Sequence, residues 1–161
     1  PPAWTAWATR RCGTQPTMTT ADVNVLLAAS RRDHPHHDVA LAWLEQALAN
    51  TGHDPLTLQP MVVSGFLRLA THPKVFPVPT PTTQALGFIE ALLDSPGVSL
   101  ATLGNEWPEL SCLCREQTLQ GNDVPDAWLA AAVLRQGEHL VSFDGDFRRL
   151  LPRSRFTRLR P

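Results

Sequence analysis

Three aspartates that are far apart in this sequence occupy positions where an acidic site can form. Asp22 follows the first candidate strand directly, Asp144 follows a later one, and Asp126 lies in the first turn of a helix that begins near residue 124. In parallel sheets, sites form beyond the carboxyl ends of the strands, so we expect these side chains to converge there. Asp123, three residues before Asp126, can point along the same helical face and is a further candidate.

Carboxylates that converge in this way require a positive charge between them. Two unit charges about 4 Å apart repel by roughly 4 kcal/mol at an effective dielectric constant near 20. Oxygen ligands at a partly open site suit Mg²⁺ or Mn²⁺ better than zinc, which prefers Cys and His. Asn24 and Ser142 can orient the carboxylates by hydrogen bonding. The sequence therefore predicts a Mg²⁺ or Mn²⁺ site built on Asp22, Asp126 and Asp144.

The elements that must position these residues alternate between strands and helices. A proline-rich loop over 73–82 interrupts them, and Gly137 is placed to cap the helix before it. This alternation indicates an α/β fold with a mainly parallel sheet. Strands are predicted near 18–21, 54–59, 98–102, 139–143 and 156–159, and helices from 22 and over 34–50, 61–70, 82–94, 106–119 and 124–136.

Length and composition are those of a single globular domain. The chain has 161 residues, of which 43% are apolar and 18% charged, and a core of this size folds without disulfides or a structural metal. The three cysteines lack the spacing of a zinc site and favour a reducing compartment. No apolar run reaches the roughly 18–20 residues of a membrane-spanning helix, and the start does not resemble a signal peptide. We therefore expect a cytoplasmic protein without a membrane segment.

Charge is distributed unevenly along the chain. Residues 1–147 hold 8 basic and 15 acidic residues, whereas 148–161 hold six arginines and no acid, so −7 is followed by +6. An acidic site beside an arginine-rich edge suits a polyanionic partner, and a solvated basic tail is the alternative.

Residues 1–17 differ from the rest of the chain. They carry three prolines and two tryptophans, show no helical or strand period, and are followed by Met18. We predict that they are a non-native or disordered extension and that 18–161 form a single domain.

Two further groups of side chains have a chemical and a structural interpretation. His34, His36 and His37 could bind a transition metal, but their position at a helix entrance, with a proline among them, favours a solvated turn. Trp43 and Trp128 fall on apolar helical faces, which favours core packing over stacking on bases.

Four segments carry a family resemblance when taken in order. They are Asp22-Val-Asn24-Val-Leu, GFLRLATHP at 65–73, PDAWLAAAVLRQG at 125–137 and VSFDGDF at 141–147. Together they resemble the PIN-domain ribonucleases, specifically the VapC toxins of bacterial VapBC toxin–antitoxin pairs. The resemblance implies a three-layer α/β/α sandwich around a mainly parallel sheet, with an acidic site that binds Mg²⁺ or Mn²⁺.

The resemblance also assigns roles to individual residues. The first acid of the family matches Asp22, the acid of its DAxLAA run matches Asp126, and the acid of its late strand matches Asp144. Asn24 matches the polar partner of the first acid. One position departs from the pattern, because Gly65 stands where many members carry a Glu.

That departure leaves the metal count open. Asp123 or Asp146 could replace the missing ligand, or a water could fill its place. Binding of a second metal is in doubt for the same reason.

The activity that the resemblance implies is metal-assisted hydrolysis of RNA by an endoribonuclease toxin. A single-stranded loop of tRNA or rRNA is the expected target class. A VapB-like antitoxin is the expected inhibitor, and a homodimer the expected assembly. The RNA backbone is expected to lie on arginines of the basic segment, whose charge makes binding salt-sensitive: Arg148, Arg149, Arg153 and Arg155.

Two other functions remain open at this point. A catalytically weak PIN-fold module that binds RNA or a partner protein is compatible with the missing Glu. A hydrolase or phosphatase with an Asp nucleophile needs an activating Lys or a phosphate loop, and the only lysine, Lys74, lies in the proline-rich connection.

Overall fold

The computed structural model of the chain describes residues 18–161, so the predicted extension at 1–17 lies outside the described residues. Strands and helices alternate as predicted, and a short 3₁₀ turn (Arg153–Arg155) precedes the last strand. The strands are β1 (Thr19–Ala21), β2 (Leu56–Leu58), β3 (Val98–Leu100), β4 (His139–Ser142) and β5 (Phe156–Arg158). The helices are α1 (Val23–Ser30), α2 (His37–Ala49), α3 (Pro60–Ala70), α4 (Thr82–Leu93), α5 (Trp107–Gln117), α6 (Asp123–Gln136) and α7 (Phe147–Leu150).

The five strands form one parallel sheet in the order β3-β2-β1-β4-β5. β1 lies at its centre, and Ala21 of β1 is opposite Val141 of β4. Central parallel strands are covered on both faces, and accordingly Thr20 is fully buried although its strand reads only TTA. Because β1 and β4 are adjacent and parallel, the residues that follow them leave the sheet at the same edge.

Helices cover both faces of the sheet and complete the three-layer α/β/α sandwich. α1 packs on α2 and α3, and α3 packs on α4; separately, α5 packs on α6, which contacts α7 and β4. α1 is buried without interruption from Val25 to Ala29, and α6 from Leu129 to Leu134. Burial of a large apolar side chain contributes about 1.5–3 kcal/mol, so these two helices anchor the layers to the sheet.

Gly137 ends α6 as predicted. Its φ of +73° lies in the left-handed region, where glycine carries no steric penalty. Its N–H donates to the carbonyls of Leu134 and Val133. This cap lets the chain enter β4 only two residues after the helix.

The tryptophan prediction is right for Trp43 and wrong for Trp128. Trp43 packs against the core, but Trp128 is 45% exposed. The buried positions of α6 on either side of Trp128 are Ala127 and Leu129, so this side chain points outward. No helix within 18–161 has the length and apolar character needed to cross a bilayer.

Candidate active site at the carboxyl edge of the sheet

Asp22 lies where β1 ends and is held by four hydrogen bonds. Its N–H donates to the Val141 carbonyl at 2.9 Å, which extends the β1–β4 ladder. Its Oδ1 accepts from the Val23 N–H at 2.6 Å, and its Oδ2 accepts from Ser142 Oγ and Asn24 Nδ2, each at 2.7 Å. Asp22 therefore also caps α1, a role that the sequence analysis missed. Its carboxylate is fixed in one orientation and only 8% exposed.

Ser142 and Asn24 join Asp22 to the turn that carries Asp144. Ser142 Oγ accepts from the Asp144 N–H and from Asn24 Nδ2, both at 2.9 Å. Asn24 Oδ1 accepts from the Phe143 N–H at 3.2 Å. The structure thus places both predicted orienting residues between the two acids.

The other acids approach from α6 and from the turn after β4. Burial and the charges of neighbouring carboxylates together raise the pKa of Asp126 to about 6. Burial contributes most, followed by the charges of Asp22, Asp144, Asp123 and Asp146 in that order. Burial also raises the pKa of Asp22, against the hydrogen bonds from Ser142 and Val23, and the charge of Asp144 adds to the increase. The carboxylates predicted to converge are therefore close enough to influence one another's ionisation.

The donor set fits a hard divalent cation in its chemistry. As the side chains stand, residues 18–161 hold no group of three His, Cys, Asp or Glu arranged to bind a metal ion. Yet Asp22, Asp126 and Asp144 offer only oxygen donors, and in the described part of the chain none of them forms an ion pair. Such an uncompensated negative site suits Mg²⁺ or Mn²⁺, and these three residues would hold the ion.

Asp123 differs from these three acids because it forms an ion pair with an arginine. Arg149 Nη2 donates to Asp123 Oδ1 at 2.9 Å, and both side chains are partly exposed. An exposed pair of this kind is worth at most about 1 kcal/mol, so either partner can exchange it for another contact.

The predicted RNA-binding arginines have different surroundings. Arg155 donates to the carbonyls of Gly137 and Glu138, so it holds the end of α6. Arg148 and Arg153 are exposed and line a cavity together with Arg158. Arg158 was not singled out in the sequence analysis, although it belongs to the same basic segment and lies opposite Ser142 in the β4–β5 register.

Gly65 lies beside the chain segment that follows Asp22. A Cβ built on Gly65 would lie 2.8 Å from Val23 Cγ2, closer than carbon atoms normally approach. A larger residue at this position of α3 requires α1 or Val23 to shift. The absence of a Glu here thus accompanies close packing of α3 on α1.

The histidine cluster packs beside the site. The His36 ring lies on the Phe143 ring at a centroid distance of 4.9 Å, and the His34 ring meets His36 edge-on at 5.5 Å. These histidines are partly buried, so the predicted solvated turn is only partly right. The contact between His36 and Phe143 joins residues more than a hundred positions apart, so no local sequence pattern predicts it.

Comparison with known proteins agrees with this geometry. The family model described as PIN domain matches residues 20–150. The chain belongs to the PIN-domain family.

The chain is similar in sequence to several VapC proteins. The chain is 41% identical over 132 residues to Ribonuclease VapC31 of Mycobacterium tuberculosis, a match that covers 80% of this chain and 89% of that protein. It is 39% identical over 135 residues to Ribonuclease VapC25 of the same species, with the same coverage.

Solved structures show the same fold. A chain of VapBC2 from Rickettsia felis, bound to a DNA fragment from its promoter, superposes with a TM-score of 0.63 at 15% identity, covering 89% of this chain and all of that one. VapC20 of Mycobacterium tuberculosis, described as a toxin that cleaves the sarcin-ricin loop, gives 0.61 at 16% identity, covering 89% and 99%. Both confirm the predicted PIN-like sandwich.

Proposed function

We propose that residues 18–161 form a single PIN domain that acts as a Mg²⁺- or Mn²⁺-dependent endoribonuclease toxin. The observation that carries this proposal is the parallel pairing of β1 with β4, which brings Asp22 and the Asp144 turn to one sheet edge, where Ser142 Oγ bonds to both. The raised pKa of Asp126, to which the charges of Asp22 and Asp144 contribute, agrees with its position near them. The relatives named ribonucleases support RNA as the substrate. The acidic edge supports hydrolysis of a phosphodiester.

The residues of the site have separable tasks in this reaction. A bound metal ion would activate water and stabilise charge on the leaving oxygen. Ser142 and Asn24 keep the Asp22 carboxylate in one orientation through bonds of 2.7 Å. The backbone N–H of Asp146 donates to Asp144 Oδ1 at 2.8 Å and so fixes the orientation of the Asp144 carboxylate. Asp126, without a hydrogen bond among the described contacts, is free to adjust to the ligand.

The RNA is proposed to cross the sheet edge toward the basic segment. Arg148, Arg149 and Arg153 are exposed there, and cations of this kind bind phosphates in a salt-dependent way. Arg155 donates to the backbone carbonyls of Gly137 and Glu138, so its proposed role is to support the basic surface and not to bind phosphate directly. A single-stranded loop of tRNA or rRNA is the proposed target, because unpaired bases are open to a protein. The description of VapC20 as a toxin that cleaves the sarcin-ricin loop supports a loop as the target.

A VapB-like antitoxin is the proposed inhibitor. The carboxylates at the edge have no ion pair among the described residues, so a basic side chain from an antitoxin would bind them well. The likeness to a chain of a VapBC complex supports such a partner. A homodimer formed through the early helices, and action in the cytoplasm, belong to the same proposal.

The test is RNA cleavage by the protein purified free of antitoxin. Wild type is expected to cut cellular RNA with Mg²⁺ or Mn²⁺ and not with EDTA, and Asp22→Ala is expected to be inactive. Asp94→Asn, an exposed acid at the end of α4, is the control and should cut like wild type. Equal behaviour of wild type and Asp22→Ala in cleavage and in a growth assay would contradict the proposal.

A catalytically weak module that binds RNA or a partner protein is the second candidate. The close packing at Gly65 favours it, since an acidic side chain there would require Val23 or α1 to shift. RNA binding that persists without cleavage in Mg²⁺ or Mn²⁺ would support this candidate.

A further inference from the structure

A cavity of about 410 Å³ lies beside the edge strand β5 and is lined by three arginines. Arg148 comes from α7, Arg153 from the 3₁₀ turn and Arg158 from β5. Leu151 and Phe156, both buried, complete the lining with apolar surface. The volume is in the range of small-ligand sites, and a few polar groups over an apolar floor are typical of them.

The positive charge of this cavity is not neutralised by the part of the protein that the structure describes. The ion pairs found there use Arg31, Arg135 and Arg149. Arg148, Arg153 and Arg158 take part in none of these ion pairs, so their guanidinium groups have no carboxylate partner among the described residues. Guanidinium groups match the oxygens of phosphate and carboxylate groups in a planar fork, so the cavity suits an anionic ligand of this chemistry.

The cavity is connected to the acidic edge through Arg158. Its Nε donates to the Phe143 carbonyl at 3.0 Å, immediately before Asp144. Its guanidinium lies over Gly145, where a Cβ would be 3.0 Å from Nη1 and 3.1 Å from Cζ. Arg158 lies opposite Ser142 at the carboxyl end of β5, whereas Phe156 lies opposite Leu140 at the amino end. The cavity therefore extends from the acidic edge along β5.

We propose that this cavity binds a phosphate group of the RNA that lies outside the bond cleaved at the acids, and that Arg158 is a positioning residue that couples this phosphate to the Asp144 turn. The proposal rests on the proposed function, because it assumes an RNA strand at the acidic edge. A strand that is held at the carboxylates and passes the carboxyl end of β5 meets the cavity at Arg158. An acidic segment of a protein partner is the competing occupant.

The experiment measures RNA binding at several salt concentrations. A short fluorescein-labelled single-stranded RNA of mixed sequence is titrated with Asp126→Asn protein, which is designed to bind without cutting. Arg148→Gln, Arg153→Gln and Arg158→Gln are each added to this background. Each is expected to weaken binding about 10-fold, from a charged hydrogen bond worth about 1.5 kcal/mol, and to reduce the slope of log K against log salt by about 0.7.

Arg32→Gln is the matched control. Arg32 is exposed at the end of α1 and has no ion pair among the described residues. The substitution removes the same charge and should leave the salt slope unchanged. Thermal melting of every variant shows that the fold is retained, and a purely structural role of the arginines would not change the slope.

A second readout tests the coupling through Arg158. In the otherwise wild-type protein with Mn²⁺, Arg153→Gln should raise KM and leave kcat unchanged, whereas Arg158→Lys, which keeps the charge but loses the Nε contact, should lower kcat. Equal effects on KM alone would overturn the positioning role.

The outcomes separate this proposal from the proposed function. If wild type binds and cuts RNA but the three variants keep its salt slope, the cavity proposal is overturned and the proposed function stands. If RNA binding is unchanged and capture of an Asp/Glu-rich peptide is weakened, the cavity belongs to a protein partner and the proposal is also overturned. If wild type neither binds nor cuts RNA, both fail.

Discussion

Ser142 donates its hydroxyl hydrogen to Asp22 Oδ2 at 2.7 Å, although the two residues are 120 positions apart. Ser142 Oγ in turn accepts from the Asp144 N–H and from Asn24 Nδ2, both at 2.9 Å. One fully buried hydroxyl thus joins the ends of β1 and β4 to the turn that carries the next acid. The geometry of the acidic edge therefore depends on this one hydroxyl.

Ser142→Ala is therefore expected to destabilise the protein and to reduce RNA cleavage. The substitution removes the hydroxyl that Asp22 Oδ2, the Asp144 N–H and Asn24 Nδ2 all bond to. A buried polar group left unpaired costs about 1–3 kcal/mol. Chemical denaturation and cleavage assays measure the two effects. Ser99→Ala, on an exposed position of β3, is the control and should stay within about 0.5 kcal/mol of wild type. Equal stability of the two variants would contradict this role of Ser142.

Two helical glycines should respond oppositely to alanine. At Gly65 a Cβ would lie 2.8 Å from Val23 Cγ2, whereas at Gly87, inside α4, nothing lies within 4 Å. Overpacking costs about 1–3 kcal/mol, and replacing an unhindered helical glycine by alanine gains about 0.5–1 kcal/mol. We expect a lower melting temperature for Gly65→Ala and a higher one for Gly87→Ala. A stabilised Gly65→Ala would show that α3 does not need this close approach.

Glu138 predicts a pH dependence of stability that is separate from the acidic edge. Its side chain is fully buried and accepts hydrogen bonds from Thr57 Oγ1 at 2.6 Å and Gln59 Nε2 at 2.7 Å. Burial raises the pKa of Glu138 above its usual 4.5, and the two hydrogen bonds offset only part of the increase. The folded protein therefore favours the protonated form of this carboxyl.

The stability that protonated Glu138 contributes is fully present below the unfolded pKa and is lost as the pH rises through the higher folded pKa. Glu138→Gln keeps the shape without the ionisation. The free energy of unfolding of wild type relative to Glu138→Gln is thus expected to fall as the pH rises above the unfolded pKa of 4.5, as measured by denaturation with urea. The same comparison with Glu45→Gln, an exposed position of α2, should be flat. A flat difference for Glu138→Gln would contradict the raised pKa.

The sequence was sufficient where local patterns determine structure. The strand before Asp144 follows from an apolar run, the cap at Gly137 from a glycine, and the short strand before Asp22 from its β-branched threonines. The parallel sheet then brings the two acids to one edge. Contacts between residues that are far apart in the chain could not be predicted from the sequence. The bond from Glu138 to Thr57 and that from Arg155 to the end of α6 depend on which surfaces the fold brings together, and no local period encodes them.

Trp128 shows the same limit within one helix. An almost wholly apolar run around it, DAWLAAAVL, favours a buried tryptophan. In the structure the small and branched residues of α6 fill the interior, and Trp128 remains 45% exposed. Apolar character predicted the helix and its burial but not which large side chain faces outward.

The most direct measurement of the central claim is calorimetric titration of Mn²⁺ into wild type, Asp126→Asn and Asp94→Asn, together with their melting temperatures without metal. Without metal, Asp126→Asn should melt higher than wild type because it removes repulsion from Asp22 and Asp144. With Mn²⁺, wild type and Asp94→Asn should bind and be stabilised, while Asp126→Asn should lose at least 10-fold in affinity. Equal Mn²⁺ binding by wild type and Asp126→Asn, or none by either, would show that these carboxylates do not share a cation.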